Sequence, residues 1–337
     1  MNIGIIGCGK IAQTRHIPEY SANKNATLVG YYDFIYDRAE DMAKQYGGRA
    51  FRTVEELLTY PDIDAVSICT ANNAHAEMTI SALRQGKHVL CEKPMAASIE
   101  ECEAMVAEAK RSGKKLMIGH NQRFMYEHIK AKKMLDDGVI GRILTFKTCF
   151  GHGGPDKWSV DKGTGNWFFD KSKSIFGAMA DLGIHKTDLI QYLLGCEVEE
   201  VKAMTATLDK CYDDGRPVDV EDNAICLYRM KNGVIGSMTA SWTYYGEEDN
   251  STCIYGTDGM IKLCDGIYGV GVCLKNGEKT FYDSPPQIVS GVIDAFIDCL
   301  VNDTQPPVSG EQVLSAMKVM MASVKSAQAP RILSDFV

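Results

Sequence analysis

The first third of the chain alternates short, wholly apolar runs with longer stretches of helical period. The apolar runs are NIGII at the N-terminus, ATLVGYYD (Ala26 to Asp33), IDAVSICT (Ile63 to Thr70), HVLCEKP (His88 to Pro94) and KLMIGH (Lys115 to His120). Between them RAEDMAKQYG, AHAEMTISALRQG and SIEECEAMVAEAKRSG carry apolar residues at helical spacing and stop at Gly47, Gly86 and Gly113. Runs apolar on both faces read as buried strands, and strand–helix alternation predicts a parallel sheet with right-handed crossovers. The second half changes character. An apolar helical run at 177–195 precedes the strand-like VKAMTATL, NAICLYRM, VIGSMTASWTYY, STCIYG and MIKLCD, with the hairpin signal Lys231-Asn232-Gly233 between two of them.

The turn after the first strand reads Gly7-Cys8-Gly9-Lys10-Ile11-Ala12, a G-x-G-x-x-A between a strand and a helix. In that context the first glycine serves the tight turn, the second admits a pyrophosphate close to the backbone, and Ala12 lets the helix lie against the strand. Asp33 ends the second strand, where a carboxylate holds the adenosine ribose hydroxyls and disfavours the 2′-phosphate of NADP. Arg38 is the complication, since an arginine here accommodates that phosphate; it is placed on the following helix, paired or solvated. NAD is therefore the expected cofactor, with NADP as the alternative. Ligands of such sheets bind outside the carboxyl ends of the strands. The loops Thr70-Ala71-Asn72-Asn73-Ala74-His75 and Cys91-Glu92-Lys93-Pro94-Met95 open there, making Gly7, Gly9, Lys10, Ile11, Asp33, Thr70, Asn72, His75, Glu92 and Lys93 candidate cofactor residues. By position alone, Lys93 reads equally as a ligand to a substrate hydroxyl and as a solvated lysine.

GAMADLGIH (Gly177 to His185) sets Asp181 and His185 four residues apart in an apolar run. That spacing shares one helix face, which fits a buried structural pair and a catalytic pair equally.

The chain of 337 residues is long enough for two domains. Its net charge of −8 argues against a dedicated nucleic-acid binder. No apolar run is long enough to span a bilayer, and no secretory leader is evident at Met1. The twelve cysteines are scattered without zinc spacing, which points to reduced thiols in a cytoplasm and no metal site.

Taken in order, G-x-G-x-x-A, the acid at Asp33, Glu92-Lys93-Pro94 and GAMADLGIH resemble the Gfo/Idh/MocA family of oxidoreductases, which includes glucose–fructose oxidoreductase and inositol dehydrogenases. The likeness extends to the connecting segment Asn121 to Ile143, to NWFFD (Asn166 to Asp170) and to the closing VIDAFIDCLVNDTQPPVSGEQVLSAMKV. Two positions depart from the usual family pattern: Ala71 replaces a proline before Asn72, and Gly177-Ala178 replaces paired glycines.

The resemblance implies an α/β fold. Residues 1–120 would form a Rossmann dinucleotide-binding domain. Residues 121–337 would form an α/β domain with a large, mostly antiparallel sheet that binds substrate and makes a homo-oligomer, dimer or tetramer; its last helices have the option of packing back on the first domain. It also implies hydride exchange between a nicotinamide and a secondary alcohol or ketone of a sugar, glycoside or cyclitol. His185 would be the proton acceptor, Asp181 would orient it or bind a neighbouring hydroxyl, and Lys93 would hydrogen-bond the reacting oxygen. Arg123, Asn166 and Trp167 are candidate substrate contacts, and His152 and Lys157 lie in a glycine-rich loop suited to cover the site. Two rival readings share these residues: an NAD-dependent glycosidase working by transient oxidation and elimination, and a non-catalytic dinucleotide sensor.

Overall fold

The buried N-terminal runs form β1 (Asn2–Ile6), β2 (Thr27–Tyr32), β3 (Arg49–Ala50), β4 (Ala65–Ile68), β5 (His88–Cys91) and β6 (Leu116–Ile118) in a computed structural model that describes residues 1–264, 266 and 268–328. Their order is β3-β2-β1-β4-β5-β6 with every pair parallel. This is the doubly wound dinucleotide order, with its switch point between β1 and β4. The helices Tyr36–Tyr46, His75–Arg84 and Ile99–Ser112 fall where helical period predicts them.

The second sheet comprises β7 (Ile143–Gly151), β8 (Val198–Ala206), β9 (Asn223–Met230), β10 (Ile235–Ser241), β11 (Thr252–Gly256), β12 (Gly259–Leu263), β13 (Val270–Leu274) and β14 (Lys279–Tyr282), in the order β14-β13-β12-β11-β7-β10-β9-β8. All its pairs are antiparallel except β7 with β10. The Lys231–Gly233 turn joins β9 to β10, with Gly233 at φ 84°. Along β9 alternate residues Ala224, Cys226, Tyr228 and Met230 are buried, while Ile225 and Leu227 face out. The helix Ile184–Leu194 covers the inner face, and its Thr187 hydroxyl meets the Tyr228 hydroxyl at 3.0 Å.

Strand β7 does not stand out in the sequence because polar residues sit on its buried face. Thr148 is buried there, paired with Thr252 across the ladder at 2.7 Å. The run at 177–195 is also not a uniform helix: Met179–Gly183 is a π-turn that passes into Ile184–Leu194. Asp265, the last residue of the strand-like MIKLCD, and residues 329–337 of the expected second domain lie outside the described residues.

The closing helices return to the first sheet. Ser290 and Asp294 bond Glu19 and Asn23 across the start of Val292–Val301. Ahead of Gly310–Ala327, which opens with a capping box at Ser309 and Gln312, the Ile118 amide donates to the Val308 carbonyl at 2.9 Å. The two sheets are thereby pinned on either side of a deep crevice.

Candidate active site

The crevice is a cavity of about 990 Å³ running from the fingerprint turn to the start of the Ile184–Leu194 helix. At its dinucleotide end Gly7 adopts φ 93°, and a Cβ there would lie 2.6 Å from the Cys69 carbonyl oxygen, so β1 and β4 approach only because this residue is glycine. A Cβ on Gly9 would meet no atom of the protein and would project into space beside the cavity lining. Lys10 and Ile11 continue that wall. Asp33 is held rigidly: its Oδ2 accepts from the Cys8 amide at 2.7 Å and its Oδ1 from the Ile35 amide at 2.8 Å. Arg38 lines the same end and is ion-paired with Asp161. Thr70 also lines the cavity, and its buried hydroxyl has no partner among the described residues. An open cradle over Gly9, an aimed carboxylate and an unsatisfied hydroxyl suit a dinucleotide.

Three sequence candidates have other duties. His75 is buried and does not line the cavity. Its Nδ1 bonds the Pro94 carbonyl at 2.7 Å and its Nε2 lies 3.2 Å from the Thr70 carbonyl, so it ties the loop after β4 to the loop after β5. Burial lowers its pKa, so the ring is neutral and spends its N–H on that clasp. Arg123 forms a fork with Asp188, at 2.7 Å from Nε to Oδ2, and does not reach the cavity. Asn166 is turned into its own backbone, accepting from the Phe168 amide at 3.0 Å and donating to Gly163 at 2.8 Å. An asparagine before a short helical turn caps it, and that local bond wins over the cavity. Trp167 does line the cavity, stacked on Phe168 with centroids 3.9 Å apart. His152 lines it too, whereas Lys157 points to solvent beside Asp156. Asn72 lines the cavity while its amide bonds the Ser174 carbonyl at 2.7 Å, joining the two domains.

At the other end Lys93, Asp181 and His185 converge. Lys93 Nζ lies 3.0 Å from Asp181 Oδ1 and 2.9 Å from the Asp181 carbonyl. Asp181 Oδ2 accepts from the indole of the buried Trp242 at 3.0 Å. Both carboxylate oxygens are thus taken by residues far away in sequence: Asp181 holds Lys93, and of the two roles the resemblance implies for it, orienting His185 or binding a neighbouring hydroxyl, no bond to His185 is seen among the described residues. His185 lines the cavity with a buried Nδ1 that has no partner among the described residues. Burial, and then the charges of Lys93, His120, Arg15 and Lys186, hold its pKa well below 6.5. Glu92 is buried, its Oε1 2.8 Å from His16 Nε2. Burial opposes its ionisation, but the His16 hydrogen bond and charge prevail and bring it to about 2. Glu92, which lines the cavity next to Lys93, is therefore a fixed negative charge at the site.

The placement of the Asp181 turn depends on residues the sequence does not advertise. Glu221 reaches over from the strand side and accepts from the Gly177 amide at 2.9 Å and the Met179 amide at 3.1 Å. A Cβ at Gly177 would stand 1.9 Å from the Glu221 carbonyl oxygen, whereas Ala178 fits fully buried. The departure from paired glycines is accommodated because only the first position is this close. Gly177→Ala is expected to lower the melting temperature by more than the ~2–4 °C of an ordinary 1 kcal/mol change, read by thermal denaturation; an unchanged value would show that this turn is free to shift. Trp242, Gln122, Asn250, Phe150 and His120 were also not legible as site residues. Gln122 donates to Asn250 at 3.1 Å, and both line the cavity beside Phe150.

Residues 1–120 match the model described as the oxidoreductase family with an NAD-binding Rossmann fold, and residues 128–262 match the GFO/IDH/MocA C-terminal domain. The chain belongs to the Gfo/Idh/MocA oxidoreductase family. Among relatives of this Gfo/Idh/MocA protein, the glucose-6-phosphate 3-dehydrogenase of Bacillus subtilis (strain 168) is 31% identical, with 89% of this chain and 87% of that protein covered. The myo-inositol 2-dehydrogenase of Thermotoga maritima is 28% identical over 98% and 97% of the two chains. A levoglucosan dehydrogenase solved with NADH superposes with a TM-score of 0.85 at 25% identity, covering 98% of this chain and all of that one. As a Gfo/Idh/MocA member the protein is an oxidoreductase with an NAD-binding N-terminal domain, and the convergence of Lys93, Asp181 and His185 lies at the inner end of that domain's crevice.

Proposed function

We propose that this protein oxidises or reduces a secondary CH–OH centre of a sugar, glycoside or cyclitol, with His185 exchanging the hydroxyl proton. The observation that carries this reading is the Lys93–Asp181–Trp242 chain of hydrogen bonds, which holds an ammonium beside a neutral imidazole in one crevice with the dinucleotide end. NAD, when bound, supplies the acceptor or donor of hydride. The chain's own residues do the rest. His185, kept neutral by burial, accepts the proton of the substrate hydroxyl. Lys93, oriented by Asp181, donates a hydrogen bond to the same oxygen and stabilises the negative charge that develops on it. Phe150 and Trp167 give apolar walls against which a ring stacks, and Gln122 and Asn250 offer polar groups for the remaining hydroxyls. Retention of both Lys93 and His185 in the crevice supports an enzyme over a sensor. The twelve cysteines, scattered without zinc spacing, support a reducing cytoplasm as its place of action.

The test is a panel of polyols, aldoses and glycosides with NAD and NADP, following absorbance of the reduced cofactor and identifying the product. Net formation of NADH with a keto product is expected. Release of a free sugar without net NADH would establish the transient-redox glycosidase instead, and tight NADH binding with no turnover on any member would establish the sensor.

Self-association is part of the same proposal. The outer face of the second sheet exposes Met204, Ile225, Leu227 and Ile235, which lie on adjoining strands β8, β9 and β10. An apolar patch of this kind on a sheet face is characteristic of an interface. Leu227→Asp is expected to reduce the assembled mass measured by light scattering; an unchanged mass would place the interface elsewhere.

A further inference from the structure

Arg38 lies near the start of the helix that follows Asp33, and both residues line the adenosine-ribose end of the cavity. Its partner is not a neighbour in the first domain. It is Asp161, which lies 123 residues away in a segment that the second domain extends over the crevice. The Arg38 side chain is 22% exposed and that of Asp161 50%. The segment is anchored rather than trailing. Lys210 Nζ bonds the Gly153 carbonyl at 2.7 Å and Asp156 Oδ1 at 2.8 Å, the Ser159 amide donates to Pro155 at 3.0 Å, and the Ser159 hydroxyl donates to the Asp161 carbonyl. Asp33 meanwhile is aimed by two backbone amides. The ribose end therefore presents two carboxylates to one guanidinium, and that guanidinium is already engaged.

We propose that Asp161 is a specificity-determining residue for the dinucleotide: by holding Arg38 from the opposite domain, it withholds the cation that a 2′-phosphate needs. An exposed ion pair contributes little to stability, so the consequence of this one lies in the local charge it sets. A phosphate monoester carries about −1.5 to −2 at neutral pH. To reach it, Arg38 would have to leave Asp161, and the phosphate would then face both Asp161 and Asp33. With a 2′-hydroxyl in its place the pair stays intact and Asp33 is free to accept from the ribose. Specificity of this kind comes from a repulsive element as much as from an attractive one.

The inference rests on NAD binding at this crevice, and the experiment separates the two. NADH and NADPH are titrated by calorimetry into the wild type, Asp161→Asn, Arg38→Gln and the double variant. Asp161→Asn keeps the shape of the side chain and removes its charge. The expected result is a rise in the NADPH-to-NADH affinity ratio of about tenfold or more in Asp161→Asn, abolished when Arg38→Gln is added. An unchanged ratio in Asp161→Asn, or a rise that survives the loss of Arg38, overturns the proposal. Absence of NADH binding to the wild type overturns the dinucleotide reading itself.

Discussion

Lys93→Met is expected to lower kcat by roughly 10²–10³-fold while the NADH dissociation constant changes by only a few-fold. Methionine keeps the length and apolar bulk of the stem and removes the ammonium. The substrate oxygen then loses the donor that stabilises its developing charge, an interaction stronger in the transition state than in the ground state, so kcat falls rather than KM alone rising. Asp181 keeps its bond from Trp242, which holds the π-turn in place. Lys93→Arg is not expected to restore activity, because the larger planar guanidinium, bonded to Asp181 Oδ1 and the Asp181 carbonyl, directs its remaining donors differently from the compact ammonium that now sits 3.0 Å and 2.9 Å from them. Steady-state kinetics and NADH titration on the same preparations check this. A Lys93→Met enzyme with wild-type kcat would remove Lys93 from the chemistry.

His185→Ala is expected to cost roughly 10²–10⁴-fold in kcat for alcohol oxidation, again with NADH binding retained. The pH profile carries more information than the loss. A general base works only unprotonated, and burial together with the nearby cations holds His185 well below its ordinary 6.5. The wild-type kcat/KM for oxidation should therefore be flat around neutrality and fall on acidification, with its midpoint below 6.5. Lys93 is the foremost charge depressing this pKa, after burial. Removing it in Lys93→Met should move the acid limb of the residual activity upward in pH. A profile that does not shift, or an acid limb that persists unchanged in His185→Ala, would show that another group is being titrated.

The two short motifs behave differently once folded, and the difference shows what a linear reading can reach. The fingerprint turn is local. Gly7 is needed because β1 and β4 approach within contact of its missing side chain, and strand, turn and helix are contiguous in sequence, so their pattern announces both geometry and ligand class. The D-x-x-x-H motif is only half local. Spacing puts Asp181 and His185 on one helix face, and both line the crevice, but a helix face with many rotamers does not choose partners, and the carboxylate went to Lys93 and Trp242. His75, Arg123 and Asn166 followed the same rule, since each found a nearer or stronger hydrogen-bond partner than the cavity offers. Strand β7 was hidden because buried threonines satisfied across the ladder do not look apolar.

By itself, then, the sequence determined the parallel nucleotide-binding sheet, its glycine turn after β1, the acid at the end of β2 and the family to which its motifs belong, because each of these is encoded by neighbouring residues at helix or strand period. Tertiary structure alone decided which charged groups meet: Lys93 with Asp181 over 88 residues, Trp242 with Asp181 over 61, and Arg38 with Asp161 over 123. Those pairings are made when two separately patterned domains dock, and the energy that selects among them is desolvation and hydrogen-bond geometry at the crevice, which no periodicity along the chain records.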